Sequence, residues 1–202
     1  MRELAHLCAR FILRHSPPGQ SAGMTGSAKP AAVLLILTPS TIEGEIDLLL
    51  IRRPLWLRHH PGQLAFPGGK RDPQDGSQLI TALRETHEEL GIVLPEQKIL
   101  GALPGQLTVS GFYITPFVST LDTLPEMTLA SDEVAEVIRL PLSGFHQAGA
   151  YRPLQIRRNR QRHQIPAYWV NEQLIWGATA SIIQDLLVHL DLVSPDENIN
   201  IQ

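Results

Sequence analysis

The sequence is poor in cysteine and in long apolar runs. Cys8 is the one cysteine among 202 residues, which excludes an intramolecular disulfide and is typical of a reducing compartment. No apolar run reaches the roughly 20 residues that a membrane-crossing helix needs. The first residues, MRELAHLCARFILRH, mix charged and apolar side chains too early to resemble a signal peptide. We therefore expect a soluble protein of the cytoplasm with no membrane partner.

An excess of positive charge is also missing. The chain carries a net charge of −3, and 18% of its residues are charged, so no general attraction draws it to nucleic acid. Polyanion binding would have to come from local clusters of arginine. These clusters lie at Arg52–Arg53 and at Arg157, Arg158, Arg160 and Arg162. The hydrophobic content of 43% is enough for one sizeable core, which favours a single domain without a nucleic-acid partner.

The N-terminal region differs from the rest of the chain in composition. Apolar residues recur at helical spacing in residues 2–14, which predicts an amphipathic helix. Ser16 to Pro30 is rich in Gly, Ser and Pro and is typical of a flexible linker. We therefore divide the chain into an N-terminal helix and linker (1–30), a main domain (31–192) and a tail (193–202). An exposed apolar face on the helix would suit contacts in a homodimer.

The main domain combines predicted strands with two long predicted helices. The strands are Ala31–Thr38, Ile46–Arg52, Tyr113–Thr120, Val134–Leu140, Arg152–Arg157 and Ala167–Val170. The helices are Ser77–Leu90, capped by Ser77 or Asp75 and ended by Gly91, and Trp176–Leu190. Pro61–Lys70 has too much Gly and Pro for a regular element. Strands that bracket two helices favour an α/β fold with a mixed sheet covered on both faces.

Three glutamates share one face of the first long helix. Glu85, Glu88 and Glu89 stand at i, i+3 and i+4, where like charges repel by a few tenths of a kcal/mol per pair. A bound divalent cation would reverse the sign of that interaction, and hard carboxylate oxygens favour Mg²⁺ or Mn²⁺. A solvated acidic face is the alternative. The glycine loop Pro67–Lys70 lies just upstream, and its backbone N–H groups can approach phosphate oxygens closely, which favours the metal site.

This region resembles the Nudix hydrolase family. Gly69, the stretch Arg84–Glu89 (RETHEE) and Gly91–Ile92 match the Nudix box, a glycine loop followed by R-E-U-x-E-E-x-G-U. Thr86 replaces the usual aliphatic residue, and the spacing from Gly69 to Arg84 is one residue longer than in the general box. We expect the longer spacing to weaken any role for the early acid, Asp75. The resemblance implies an α/β/α sandwich and a metal-dependent pyrophosphohydrolase.

Other segments resemble the coenzyme A pyrophosphatase (CoA diphosphatase) branch of that family. Leu57–Gly69 (LRHHPGQLAFPGG) is similar to the branch signature L-R-x-H-x-G-Q-x-x-F-P-G-G, and Asp72–Asp75 matches its D-P-x-D. The further similar segments are Ser110–Val118, Glu133–Val137 and Trp176–Ala180. Together they span roughly residues 31 to 190. The branch implies hydrolysis of a small molecule, coenzyme A, to 3′,5′-ADP and 4′-phosphopantetheine.

Candidate roles follow from the resemblance and from the side chains. The candidate substrate-binding residues are Arg52, Arg58, His60, Gln63, Gly68, Gly69 and Lys70. The positively charged side chains of Arg52, Arg58 and Lys70 suit phosphate contacts. His60 and Gln63 can orient a phosphate. A solvated strand end for Arg52 and hydrogen bonds within a turn for His60 and Gln63 stay open as alternatives.

The carboxylates and Arg84 are the candidates for metal binding and catalysis. Glu85 and Glu89 would hold Mg²⁺ or Mn²⁺, with Glu88 assisting. The proton acceptor is either a carboxylate of the box or one outside it, for which Glu133 is the first candidate and Glu136 the second. Arg84 would brace the site by pairing with a glutamate of the box, since it points about 100° away from its neighbour around the helix.

Two other functions compete with coenzyme A hydrolysis. The first is the same chemistry on ADP-ribose, another nucleoside diphosphate derivative or a nucleoside triphosphate. The second is nucleotide or protein binding on a Nudix fold without hydrolysis, although the chain keeps all three glutamates of the box. The form of coenzyme A, the choice between Mg²⁺ and Mn²⁺, the general base and the oligomeric state stay open.

Overall fold

A mixed eight-stranded sheet forms the centre of the molecule in the computed structural model, which describes residues 2–14, 28–158 and 161–193. The main path of the sheet runs β3-β2-β1-β7-β5, and β4, β6 and β8 pair with β1, β7 and β2. The strands are β1 (Lys29–Pro39), β2 (Ile46–Arg52), β3 (Leu64–Ala65), β4 (Gly68–Lys70), β5 (Ile99–Ala102), β6 (Gln106–Leu107), β7 (Phe112–Thr120), β8 (Glu136–Pro141), β9 (Leu154–Arg158), β10 (Gln161–Ile165), β11 (Ala167–Val170) and β12 (Gln173–Trp176). The helices are α1 (Arg2–Arg14), α2 (Gln78–Leu90), α3 (Leu142–Phe145) and α4 (Ala178–His189), with a 3₁₀ turn at Glu96–Lys98.

The sheet is buried on both faces because its central strands are apolar throughout. Successive side chains of a strand point to opposite faces. Leu35 and Leu37 of β1 accordingly pack in a cluster with residues of α1 and α4, whereas Leu34 and Ile36 pack in a second cluster with residues of α2. The parallel pair β1–β7 joins antiparallel neighbours on either side. The expected α/β/α sandwich with a mixed sheet is confirmed.

The apolar face of α1 is covered by the protein's own core. Leu4, Leu7 and Phe11 are buried in the cluster that also contains residues of α4. The helix was predicted with the right bounds, but the idea that its apolar face serves a homodimer is wrong, because that face is already occupied. The predicted linker falls mainly in residues 15–27, which lie outside the described residues, as does most of the predicted tail.

Several predicted boundaries are confirmed, and one segment is corrected. β2 and β11 have the predicted bounds, and α4 begins at Ala178 rather than Trp176, after Gly177 at φ +70°. Pro61–Lys70 was expected to lack regular structure, yet it contains β3 and β4, which pair with β2 and β1. Pairing with existing strands, not intrinsic propensity, produces these two short strands.

Outside the main sheet, β9 and β10 form a hairpin with Arg157 directly opposite Arg162. Arg160 of the same predicted cluster lies outside the described residues. None of the described helices is long and apolar enough to span a membrane.

Candidate active site

Helix α2 presents the three glutamates between two well-defined ends. The Ser77 hydroxyl accepts a hydrogen bond from the Ile80 N–H, 3.2 Å away, and Gly91 ends the helix in the left-handed conformation at φ +71°. Thr86 is fully buried on the inner face, where its hydroxyl donates to the Ala82 carbonyl at 2.7 Å. A threonine can therefore replace the usual aliphatic residue without leaving a buried hydroxyl unpaired.

The three carboxylates differ in their burial. Glu89 is only 2% exposed and accepts a hydrogen bond from the Gly68 N–H at 2.9 Å. The side chain of Glu85 is 15% exposed, and that of Glu88 is 55% exposed. The spacing of the three residues therefore produces a graded row that runs from the protein interior to solvent, rather than a uniform acidic surface.

The two glycines of β4 make room for these carboxylates. A Cβ at Gly68 would lie 2.3 Å from the Ala32 carbonyl oxygen of β1, and one at Gly69 would lie 2.5 Å from the Glu85 carboxylate. The sequence predicted a loop that approaches phosphate. In the structure the Gly68 N–H is donated to Glu89, and the space beside Gly69 is filled by Glu85. The glycines therefore serve the packing of β4 against β1 and α2.

Arg84 joins the glutamates to a buried aspartate. Its guanidinium contacts Asp75 through Nε and Nη2, both at 3.0 Å, in a bidentate pair. It also donates to Glu85 at 3.0 Å and to Glu88 at 2.8 Å. The expected brace between Arg84 and the glutamates of the box is confirmed in this geometry. The expectation that the longer spacing weakens Asp75 is wrong, because Asp75 also accepts from Thr81 at 2.8 Å and anchors the arginine.

Burial and charge shift the proton affinity of these groups in opposite directions. Burial raises the pKa of Glu89 to about 8, against the opposing effect of its hydrogen bond from Gly68. Burial also raises the pKa of Glu85, against the attraction of Arg84. The hydrogen bonds from Arg84 hold the pKa of Asp75 well below its usual range and raise that of Arg84 itself. Asp75 therefore stays ionised at neutral pH, whereas Glu89 resists ionisation.

A loop ahead of β8 brings Glu133 to the carboxylates. The Thr128 and Ala130 N–H groups donate to the Leu90 and Glu89 carbonyls at the end of α2, each at 3.0 Å. The charge of Glu133, which is exposed, acts on Glu85 and Glu89 and raises the pKa of both. The loop that carries Glu133 is therefore held to the end of α2, and the negative charge of Glu133 acts on two glutamates of the box.

The second candidate acid, Glu136, belongs to a different group of contacts. It pairs with the Nε of Arg52, whose two Nη atoms donate to the Gly62 carbonyl at 3.2 Å and to the Gln173 side chain at 2.6 Å. Arg52 thus joins β2 and β8 to β12 and to the loop between β2 and β3. The guanidinium that was predicted to bind phosphate contacts the protein itself.

Gln63 and His60 lie against the turn before α4. The Gln63 amide donates to the Trp176 carbonyl at 3.1 Å, and the His60 ring lies 6.4 Å from the Trp176 ring, centroid to centroid. The side chains of Arg58 and Lys70 are exposed, and within the described residues neither contacts the carboxylates. Their substrate-binding roles, like that of His60, stay predictions.

Sequence reasoning assigned no separate role to Arg53. This residue follows β2 and is half-buried, and its positive charge acts on Glu89. The adjacent arginine pair was visible in the sequence, but alternation along a strand does not say which of two neighbours faces a site.

The donor set fits a hard divalent cation in its chemistry. Glu85, Glu88 and Glu89 offer carboxylate oxygens, and Glu89 is buried near the negative charges of Glu85 and Glu133, which is costly without a compensating cation. As they stand among the described residues, no three acidic, histidine or cysteine side chains are arranged so that they could hold a metal ion. Arg84 holds Glu85 and Glu88, so a bound cation would compete with Arg84 for these two carboxylates.

Comparisons with known proteins show the family to which the chain belongs. The family model of the NUDIX domain matches residues 28–166. A relative from Pectobacterium atrosepticum, described as an uncharacterized Nudix hydrolase NudL, is 41% identical over 155 residues, covering 77% of this chain and 81% of that protein. A protein of the same description from Photorhabdus laumondii is 39% identical over 188 residues, covering 92% of this chain and 97% of that protein.

Solved structures show the same fold. A MutT/nudix family protein from Enterococcus faecalis superimposes with a TM-score of 0.60 at 16% identity, over 93% of this chain and 74% of that one. A sheet between helical layers, with a row of glutamates behind two glycines, defines a Nudix-type hydrolase. The chain belongs to the Nudix hydrolase family. Members of this family hydrolyse pyrophosphate bonds in nucleoside diphosphate derivatives and generally use divalent metals such as Mg²⁺ or Mn²⁺.

Proposed function

We propose that the protein hydrolyses the pyrophosphate bond of coenzyme A or its derivatives and releases 3′,5′-ADP and 4′-phosphopantetheine. One observation carries the proposal. The hydrogen bond from the Gln63 amide to the Trp176 carbonyl joins the two segments, Leu57–Gly69 and Trp176–Ala180, that resemble the coenzyme A branch. The Gln63 carbonyl also accepts from the Arg53 N–H at 3.0 Å. The first of these segments also reaches the carboxylates, because the Gly68 N–H donates to Glu89, so the joined segments are candidates for contacting a substrate.

The carboxylates of α2 would hold Mg²⁺ or Mn²⁺. A bound divalent cation supplies positive charge that neutralises the charge developing on the phosphate oxygens. Glu89 and Glu85 are the buried ligands of this set, and Glu88 is the exposed one. Arg84 pairs with Glu85 and Glu88 and is itself anchored by Asp75, so a cation that binds these two carboxylates would weaken their pairing with Arg84.

Glu133 would accept the proton of the attacking water. It is exposed, its charge acts on Glu85 and Glu89, and the structure records no ion pair for it within the described residues, whereas Glu136 is paired with Arg52. As the water oxygen bonds to one phosphorus, the bond from that phosphorus to the bridging oxygen breaks. The bridging oxygen leaves with the other phosphate, so the two products share the atoms of coenzyme A and one water.

Product analysis tests the proposal directly. The protein is incubated with coenzyme A, acetyl coenzyme A, oxidised coenzyme A or ADP-ribose, in Mg²⁺ or Mn²⁺, and the products are identified by mass spectrometry. We expect 3′,5′-ADP and 4′-phosphopantetheine from coenzyme A. Glu133→Gln should lose most of this activity, whereas Glu96→Gln, which removes an exposed charge from the 3₁₀ turn, should keep it. A clear preference for ADP-ribose would overturn the assignment to coenzyme A.

We also propose a location in the cytoplasm. The cytoplasm suits a protein with a single, unpaired cysteine. A homodimer stays a prediction, and the apolar face of α1 is not its contact surface.

A further inference from the structure

Arg52 and Arg53, at the end of β2, differ in the hydrogen bonds of their side chains. The Arg52 guanidinium uses Nε and both Nη atoms in contacts with Glu136, Gly62 and Gln173. The Nε of Arg53 is buried, and within the described residues it has no hydrogen-bond partner. No ion pair is recorded for Arg53 in that part of the chain either. A buried donor without a partner destabilises the folded state.

The backbone of Arg53 is held firmly although its side chain is unpaired. Its N–H donates to the Gln63 carbonyl and its carbonyl accepts from the Gly62 N–H, each at 3.0 Å. These two bonds continue the pairing of β2 beyond Arg52. The Arg53 guanidinium therefore extends from a fixed point, and its charge acts on the buried carboxylate of Glu89. A cation whose charge reaches a row of carboxylates is suited to an anion that the carboxylates alone would repel.

The other cation at the carboxylates is not available for such an anion. Arg84 directs its Nε, Nη1 and Nη2 to Asp75, Glu88 and Glu85. A substrate phosphate that approached Arg84 would have to displace at least one of these carboxylates. The Arg53 side chain has no comparable contact to give up among residues 2–14, 28–158 and 161–193.

We propose that Arg53 is a substrate-binding residue that donates hydrogen bonds to a phosphate oxygen of the pyrophosphate, whereas Arg52 is a positioning residue that holds the segments around Gly62 and Gln173. This inference rests on the proposed function only in requiring a pyrophosphate substrate. It replaces Arg52 by Arg53 as the phosphate-contacting cation. The guanidinium provides two parallel donors, so a lysine at position 53 restores charge but not the paired contact.

The test compares four variants. Arg53→Met and Arg53→Lys change the proposed contact, Arg52→Met changes the positioning residue, and Arg162→Ala removes an exposed arginine from the hairpin as a control for net charge. Three measurements are made on the full chain. Steady-state kinetics give kcat and KM for coenzyme A in Mg²⁺, calorimetry gives the Kd of methylenediphosphonate in Mg²⁺, and thermal unfolding gives the unfolding temperature without ligand. Methylenediphosphonate keeps both phosphorus groups but cannot be hydrolysed.

The expected results separate substrate contact from structural support. Arg53→Met should lower kcat/KM and weaken methylenediphosphonate binding, each by roughly 10- to 100-fold, as the loss of a charge-assisted hydrogen bond predicts. Its unfolding temperature should stay unchanged or rise, because no contact is lost. Arg53→Lys should recover part of both losses. Arg52→Met should unfold at a lower temperature, and Arg162→Ala should behave like the wild type in all three measurements.

Two outcomes would overturn the inference. One is unchanged methylenediphosphonate binding in Arg53→Met. The other is a lower unfolding temperature of Arg53→Met that accounts for its lost activity, since that result makes Arg53 a structural residue. Failure of the proposed function looks different: the wild type then binds methylenediphosphonate but does not hydrolyse coenzyme A. In that case the kinetic comparison is repeated on the pyrophosphate substrate that the wild type does hydrolyse.

Discussion

Glu89→Gln should make the metal-free protein less sensitive to rising pH. Glu89 is 2% exposed, and its pKa rises from 4.5 to about 8 in the folded state. Below pH 4.5 the carboxyl is protonated in both states and has no effect on the free energy of unfolding. Between pH 4.5 and 8 the unfolded chain ionises freely while the folded protein retains its proton, so the folded state loses relative stability. Above pH 8 the penalty is complete.

The size of this penalty follows from the proton affinity. Since a tenfold change in affinity corresponds to about 1.4 kcal/mol, ionised Glu89 destabilises the fold by up to about 5 kcal/mol. About 2 to 3 kcal/mol of this loss falls between pH 6 and pH 9. Glutamine removes the ionisation but keeps an oxygen that can accept the Gly68 N–H. Its amide group adds a constant cost, which does not change with pH.

Urea unfolding in EDTA at several pH values between 6 and 9 measures the effect. The free energy of unfolding of Glu89→Gln, minus that of the wild type, should rise by about 2 to 3 kcal/mol over this range. Saturating Mg²⁺ should flatten the pH dependence of the wild type, because metal binding releases the proton, and should leave the variant unchanged. Parallel curves for the two proteins in EDTA would refute the assignment of a buried, reluctantly ionised carboxyl to Glu89.

Three further substitutions test separate contacts. Gly69→Ala places a Cβ 2.5 Å from the Glu85 carboxylate. Mg²⁺-dependent activity, measured by steady-state kinetics, should therefore fall strongly. The free energy of unfolding, measured in urea, should fall by about 1–3 kcal/mol. Asp75→Asn removes the anion that anchors Arg84, and urea unfolding should show a loss of about 3 kcal/mol at neutral pH, shrinking only in strong acid because the pKa of Asp75 is depressed. Phe11→Ala, which opens the core beneath α1, should cost about 3–5 kcal/mol and, in protein that remains folded, leave KM unchanged.

Each of these has an outcome that contradicts it. Full activity in Gly69→Ala would mean that the Glu85 carboxylate is free to lie elsewhere during the reaction. Unchanged stability in Asp75→Asn would mean that the other contacts of Arg84 are sufficient. A Phe11→Ala protein that unfolds like the wild type would show that α1 packs only loosely on the sheet.

The sequence predicted the elements with strong periodicity and missed those created by pairing. Helix α2 has its predicted cap at Ser77 and its predicted end at Gly91, because capping chemistry is local. The strands β3 and β4 carry no apolar alternation and exist because β2 and β1 offer partners. A local pattern cannot report pairing with a strand elsewhere in the chain, as when Lys70 pairs with Ala31.

The sequence predicted which residues belong to the site but not the role of each residue. The spacing of the glutamates predicted that they share one face of the helix, but their different burial depends on the packing of β4. The role of Asp75 depends on a turn that returns its carboxylate to Arg84, nine positions along the chain. The distinction between Arg52 and Arg53 depends on which of two adjacent side chains faces α2, and strand alternation leaves that choice to tertiary packing.

The loop that caps α2 affects how activity is lost when the protein begins to unfold. Ala130 donates to the carbonyl of Glu89 itself, and Thr128 donates to that of the next residue. Fraying of the last helical turn would therefore release a buried metal-binding candidate and the loop carrying Glu133 in the same event. Under mild heat or denaturant, activity should vanish in one step that precedes global unfolding, with metal affinity and proton transfer lost together.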